Sequence, residues 1–203
     1  MAHHRILYPP CRGTYSPDAL ASYEEMTKLQ KRKHPRLKSY DYSENGSYFV
    51  TICTDEHKQI LSSIKVGRGL APAEVVLSPL GKIVKEQIEA ISLRYSFVEV
   101  QKYVIMPNHI HMLIFIDGFS AGASPRPTLS DIICSFKSLA TRECKKIYSA
   151  KNIWQTSFYD HIIRSDRDYA EHYRYLEDNP TLWLLGKRNY YLENLANRNI
   201  HIT

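Results

Sequence analysis

Two histidines, His109 and His111, sit two residues apart inside the apolar run Tyr103-Val-Ile-Met-Pro-Asn-His-Ile-His-Met-Leu-Ile-Phe-Ile116. On a β-strand successive side chains alternate faces, so both imidazoles project from one side while Ile110, Met112 and Ile114 project from the other. A pair of imidazoles on a flat sheet surface makes a clamp for a divalent metal ion that lacks a third ligand and a substrate. A second stretch, Asp166-Arg-Asp-Tyr-Ala-Glu-His-Tyr-Arg-Tyr-Leu-Glu-Asp-Asn-Pro180, reads as a helix that can supply what is missing. Tyr169, His172, Tyr173 and Leu176 are spaced as a packing stripe. Tyr175 and Asn179, at i and i+4, stack together on a different face, close to Glu171 and His172. Laid beside the histidines, such a helix presents an amide oxygen to complete a three-ligand site and a phenol where a phosphodiester bridges cation and nucleophile.

The elements that must position these groups are legible from periodicity. Ser47–Thr54 is β-branched and aromatic and reads as a strand. Residues 62–78 read as a long loop, whose Lys65-Val-Gly-Arg-Gly69 resembles a phosphate-binding turn only superficially because no strand-turn-helix context follows. Ser78 is a suitable N-cap, Pro79 suits a first turn, and Ile83, Val84, Gln87, Ile88 and Ile91 form a helical stripe. Phe97–Met106 is a second strand, Pro107-Asn108 a break, and residues 109–116 a third strand. After a Gly/Ser/Ala/Pro loop, Thr128 or Ser130 caps a helix from about 129 to 149 with Lys137 outside. Phe158–Arg164 is a fourth strand, and a last helix starts at Ser165 or Asp166 and stops at Asn179-Pro180. The order β-α-β-β-α-β plus a helix predicts an α+β protein of the ferredoxin-like, split βαβ plan, with an antiparallel sheet, both helices on one face and the histidines on the open one.

Bulk properties narrow the partners. The chain has 203 residues, a size that suits one domain, and carries a net charge of +6, which leans towards a polyanion. Residues 1–40 form a basic extension in which Lys28, Lys31, Arg32, Lys33, Arg36 and Lys38 cluster, either a solvated arm or a phosphate-contacting one. Residues 41–185 read as the functional domain and 186–203 as a tail. The four cysteines form no CxxC pair, no signal peptide is evident and no apolar run is long enough for a membrane span, so a cytoplasmic location with reduced thiols is expected.

Four patches, in this order and spacing, resemble a known family: Tyr48-Phe-Val-Thr51, Val104-Ile-Met-Pro-Asn-His-Ile-His111, Phe136-Lys-Ser138, and Ile153-Trp-Gln-Thr-Ser-Phe-Tyr-Asp-His-Ile-Ile-Arg164 leading to Tyr175 and Asn179-Pro180. The sequence is similar to the IS200-like single-tyrosine HUH transposases, and within them to the REP-associated tyrosine transposases, over roughly residues 45–182. The resemblance implies that His109 and His111 hold a metal ion, that Tyr175 is the nucleophile, and that Asn179 is a third polar ligand. It implies a transposase that cleaves and rejoins single-stranded DNA near hairpins through a 5′-phosphotyrosine. It leaves monomer and homodimer both open, and it does not reach residues 1–40.

The residue types suit that chemistry. Cleaving a phosphodiester takes an in-line nucleophile and a cation to absorb charge on the non-bridging oxygens. A phenol, with a reference pKa of ~10, becomes useful only when positioned. Imidazole ligands alone favour Mn²⁺, Zn²⁺ or Ni²⁺, whereas cellular abundance makes Mg²⁺ or Mn²⁺ the expected cation. Tyr159, Tyr169 and Tyr173 are rivals of Tyr175, and Asn179 is also readable as a helix-terminal residue before proline. His161, on the fourth strand, reads as a structural residue, as a group that supports a metal ligand or as a ligand itself, and His172 as a partner that orients Tyr175 by hydrogen bonding. Lys31, Arg32, Lys33, Lys137, Gln155 and Arg164 are candidate DNA contacts, and Trp154 and Phe158 either stack bases or belong to the core. Two alternatives stand beside this reading: a non-catalytic ferredoxin-like module binding structured DNA or RNA, and a metal-dependent nuclease using water.

Overall fold

A computed structural model of the chain describes residues 45–66, 73–117, 127–149 and 152–186. The basic extension with Lys31, Arg32 and Lys33, the glycines of the 65–69 turn and the tail after 186 lie outside the described residues. Four strands, β1 (Gly46–Cys53), β4 (Val98–Ile105), β5 (His109–Ile116) and β6 (Tyr159–Ile163), make an antiparallel sheet in the order β4-β5-β1-β6. Helix α1 (Pro79–Arg94) connects β1 to β4 across the position that β5 fills, and helix α2 (Leu129–Cys144) connects β5 to β6 across β1. That is the split βαβ plan, with the two histidines on a central strand.

Alternation along the strands separates two apolar layers. Tyr48, Val50 and Ile52 of β1 and Ile110, Met112, Ile114 and Ile116 of β5 are buried against Val84, Ile88 and Ile91 of α1 and Ile132, Ile133 and Phe136 of α2. Each fully buried aliphatic side chain here contributes about 1.5–3 kcal/mol relative to exposure. The opposite face carries a smaller cluster of Phe49 and Leu113 with Tyr175 and Leu176, which belong to a third helix, α3 (Asp166–Leu184). The last helix therefore lies on the histidine side of the sheet.

Both crossover helices start where their caps dictate. Ser78 Oγ accepts from the Gly81 N–H at 3.0 Å and donates to the Ile60 carbonyl at 2.6 Å, and Thr128 and Asp131 form a reciprocal capping box. Gly81 is required by space: a Cβ there would stand 2.0 Å from the Leu61 carbonyl oxygen.

Three local expectations are corrected. Residues 62–78 are not one loop: β2 (Ser62–Lys65) and β3 (Glu74–Leu77) pair antiparallel, and β-branched Ile64, Val75 and Val76 suit that pairing. Helix α2 ends at Cys144 rather than about 149, in turns where the Cys144 carbonyl accepts from the N–H groups of both Ile147 and Tyr148. Helix α3 does not stop at Asn179-Pro180 but runs through Pro180 to Leu184. Pro180 forgoes one backbone hydrogen bond, yet it is buried, and the added turn packs Leu182 against the Phe49 cluster.

Candidate active site

Register brings the site together. Antiparallel pairing sets Val104, His111, Thr51 and Tyr159 in one row across the four strands, with Leu113, Phe49 and His161 in the next. Helix α3 is held over these rows at several points. Its Glu177 accepts from Lys102 Nζ on β4 at 2.7 Å, the same ammonium lies 3.7 Å from the centre of the Tyr173 ring, and Asp168 meets His161 on β6.

The inward face of α3 consists of His172, Tyr175, Leu176, Asn179 and Pro180. Tyr175 and Asn179 thus share one face with His172 and Leu176 rather than standing apart from the packing stripe, and Tyr173 is exposed instead. The helix packs through the same residues that carry its polar chemistry, so apolar spacing by itself misplaced the stripe. The Tyr175 phenol lies 3.5 Å from His111 Nε2, with ring centres 5.3 Å apart. His109 and His111 have ring centres 4.5 Å apart.

Each imidazole is oriented from behind. Asn108 Oδ1 is 2.7 Å from His109 Nδ1. A carbonyl oxygen only accepts, so Nδ1 carries the proton and Nε2 keeps its lone pair. Thr51 Oγ1 is 2.8 Å from His111 Nδ1, which leaves Nε2 on the Tyr175 side. Holding Nδ1 so that Nε2 is presented is the usual way of orienting a metal-binding histidine. Burial, with His57 nearby, pushes the His109 pKa down to about 3; burial, with His109 and His172 nearby, holds His111 well below the ordinary histidine value. Both rings are therefore neutral at pH 7, as ligands must be. Burial raises the Tyr175 phenol above its ordinary value, opposed by a side-chain hydrogen bond with Asn179. Two imidazoles with ring centres 4.5 Å apart, a phenol against one of them and an amide hydrogen-bonded to that phenol are donors of a kind that suits a divalent cation.

Other candidates fall elsewhere. His161 and His172 both face Asp168, with ring centres 4.6 Å apart and planes inclined by 16°. Lys137 does not reach outward for a phosphate: it is half-buried, and its ammonium donates to the carbonyls of Gln155 at 2.6 Å and Thr156 at 3.0 Å, with Ser157 at 3.5 Å. Gln155 Nε2 donates to His57 Nε2 at 3.0 Å. Trp154 and Phe158 are core residues, 7% and 5% exposed, with Trp154 against Phe136. Arg164 is exposed at the end of β6, its backbone N–H bonded to Asp168. A polar cleft of about 400 Å³ between α2 and the 152–156 segment is lined by Lys137, Thr141, Lys145, Asn152, Gln155 and Thr156.

Three neighbours of the site were not legible as functional. Thr51 lay inside a strand pattern, Asn108 inside a turn, and Trp183 beyond the expected helix end, where its ring centre now stands 5.9 Å from that of His109. A polar residue beside each histidine, across the sheet or just before it in sequence, was the available signal.

A family model described as transposase, IS200-like, matches residues 73–179. An uncharacterized protein of Haemophilus influenzae is 31% identical over 170 residues, which cover 76% of this chain and 91% of that one. A REP-associated tyrosine transposase of Escherichia coli is 33% identical over 86 residues, 40% of this chain and 44% of the other. Among solved structures, a REP-associated tyrosine transposase bound to a REP hairpin shares the fold with a TM-score of 0.51 at 21% identity, over 72% of this chain and 73% of that one.

Proposed function

The chain belongs to the IS200-like transposase family, and from that premise we propose that it cuts and rejoins single-stranded DNA beside a hairpin through a covalent bond to Tyr175. The observation that carries the reading is the approach of the Tyr175 phenol to His111 Nε2, 3.5 Å within one chain, on the face where His109 and His111 stand together. His109 and His111 would hold a divalent cation, Mg²⁺ or Mn²⁺, through their Nε2 atoms with the Asn179 amide oxygen as third ligand. When bound, that ion supplies positive charge to the non-bridging oxygens of the scissile phosphate and to the phenol oxygen.

The chain's own residues do the rest. Tyr175 Oη gives up its proton and attacks phosphorus in line, the bond to the 3′ oxygen breaks, that oxygen takes up a proton, and the products are a 5′-phosphotyrosine and a free 3′-hydroxyl. The linkage conserves the bond, so a second 3′-hydroxyl reverses the step on a new strand without a nucleotide cofactor. A hydrogen bond from Asn179 favours the ionised phenol against the burial that disfavours it. Asn108 and Thr51 keep the two rings aimed, so orientation replaces intrinsic basicity. DNA is the partner that the net charge of +6 favours.

The test is incubation of the wild-type chain and Tyr175→Phe with hairpin-flanked single strands and Mn²⁺, read as a covalent adduct on a denaturing gel. The wild type forms an adduct that the variant does not. An adduct that persists in Tyr175→Phe ends the assignment. Cleavage with protein-free ends in both proteins indicates attack by water, and tight binding of an intact strand with or without EDTA indicates a binding module.

A further inference from the structure

A second group of donor atoms converges where α3 begins. Asp168 and His172, one turn apart on the helix, face His161 on β6. His161 Nε2 lies 2.9 Å from Asp168 Oδ2 and 3.1 Å from Oδ1, and His172 Nδ1 lies 3.1 Å from Oδ1. The three donors lie within 4.8 Å of one another. Ligands at bond lengths of ~2.0–2.2 Å around a tetrahedral or octahedral ion stand roughly 2.9–3.5 Å apart, which the two Asp–His spacings match. The near-parallel stacking of the rings turns one nitrogen of each toward the same carboxylate.

Charge points the same way. Burial works to raise the Asp168 pKa, but the hydrogen bond from His161, the Arg164 N–H and the nearby imidazoles win, and the carboxyl is held below its ordinary value. His172 is buried, and that burial outweighs the neighbouring carboxylates and pushes its pKa down to about 4. A half-buried carboxylate flanked by imidazole nitrogens is a better receptor for a cation than a self-sufficient ion pair.

We propose that His161, Asp168 and His172 form a second transition-metal site, for an ion of the zinc type, that clamps the first two turns of α3 onto β6. Two imidazoles and one carboxylate favour Zn²⁺, Ni²⁺ or Co²⁺ over Mg²⁺ or Ca²⁺. On binding, His161 gives up the hydrogen bond from Nε2 to the Asp168 carboxylate and His172 the 2.8 Å hydrogen bond from Nδ1 to the Asp168 carbonyl, each for a metal bond, and each ring then carries its proton on its other nitrogen. The Phe49 ring stands between the two sites, its centre 4.7 Å from that of His172 and 5.1 Å from that of His111. The two ions would share a helix but no ligand. The site fastens the start of the helix that bears Tyr175, and it does not depend on the strand-transfer reading.

The experiment is equilibrium dialysis of the untagged, EDTA-stripped full chain against Zn²⁺, with bound metal counted by mass spectrometry and folding followed by circular dichroism. The wild type takes one equivalent more than His161→Ala, and the His109→Ala/His111→Ala variant keeps the equivalent that His161→Ala loses. Asp168→Asn, which preserves shape while removing charge, repeats the loss independently should His161→Ala fold poorly. Co²⁺ absorption in the visible region disappears in the same variants. Wild-type stoichiometry in both His161→Ala and Asp168→Asn overturns the proposal, as does loss of all zinc from the His109→Ala/His111→Ala variant. Failure of the strand-transfer reading would show instead as a missing DNA adduct, with zinc counts unchanged.

Discussion

Thr51→Val tests whether the site works by presenting one particular nitrogen of His111. The hydroxyl lies 2.8 Å from His111 Nδ1, and the two residues are 4% and 2% exposed, so water has no room to replace it. Valine keeps the shape and suits a strand, so the change removes one hydrogen bond and little else. A buried nitrogen left without its partner costs about 1–3 kcal/mol, which the metal-free protein shows as a lower urea midpoint. Without the hydroxyl, the ring also loses the contact that aims its Nε2. Losing such an orienting partner weakens metal binding by about 10–100-fold, or about 1.4–2.7 kcal/mol, the same range reached from the hydrogen bond alone. The assay is the Mn²⁺ concentration that gives half-maximal DNA adduct. It rises by that factor in Thr51→Val and returns close to the wild-type value in Thr51→Ser. A folded Thr51→Val protein with the wild-type Mn²⁺ requirement refutes the reasoning, because Nε2 would then be presented without help from β1.

Stability should fall in acid. His109 and His172 have folded pKa values of about 3 and about 4, below the ~6.5 of an unfolded chain. Their contribution is complete above ~6.5, and on acidification the unfolded chain takes up protons that the folded one refuses. Each group then lowers stability by up to about 1.4 kcal/mol per pH unit, visible as urea midpoints that drop from pH 7 to pH 4.5 in metal-free protein. Gly81→Ala places a methyl 2.0 Å from the Leu61 carbonyl oxygen, so α1 must shift; thermal melts should show a loss of about 3 kcal/mol or more, and an unchanged melt would contradict the packing. Lys137→Met strips three carbonyls of their ammonium partner and should cost about 1–3 kcal/mol while leaving the salt dependence of DNA binding unaltered. A fall of about one in the slope of log affinity against log salt would instead identify Lys137 as a phosphate ligand.

Local signals carried much of this fold. The caps at Ser78 and Thr128, the alternation in β1 and β5, and the stripe of α1 all act over a few residues, and they appear in the structure close to where the sequence places them. The β2–β3 pairing was missed because four-residue strands hold too few alternations to register. The proline at 180 misled for a related reason. Its local preference is to end a helix, and the burial of Pro180 together with the packing of Leu182 against the Phe49 cluster outweighs that preference.

From the sequence alone came the two imidazoles on one strand face and the tyrosine and asparagine one helical turn apart, because strand and helix periods are properties of neighbouring residues. Only the tertiary structure decided that α3 lies on the histidine side, that Tyr175 reaches His111 across 64 positions of chain, and that Thr51 stands opposite His111. It also put His161 against Asp168 and His172. Those meetings depend on strand register and on which sheet face has apolar surface left to cover, and neither is written in any short window of residues.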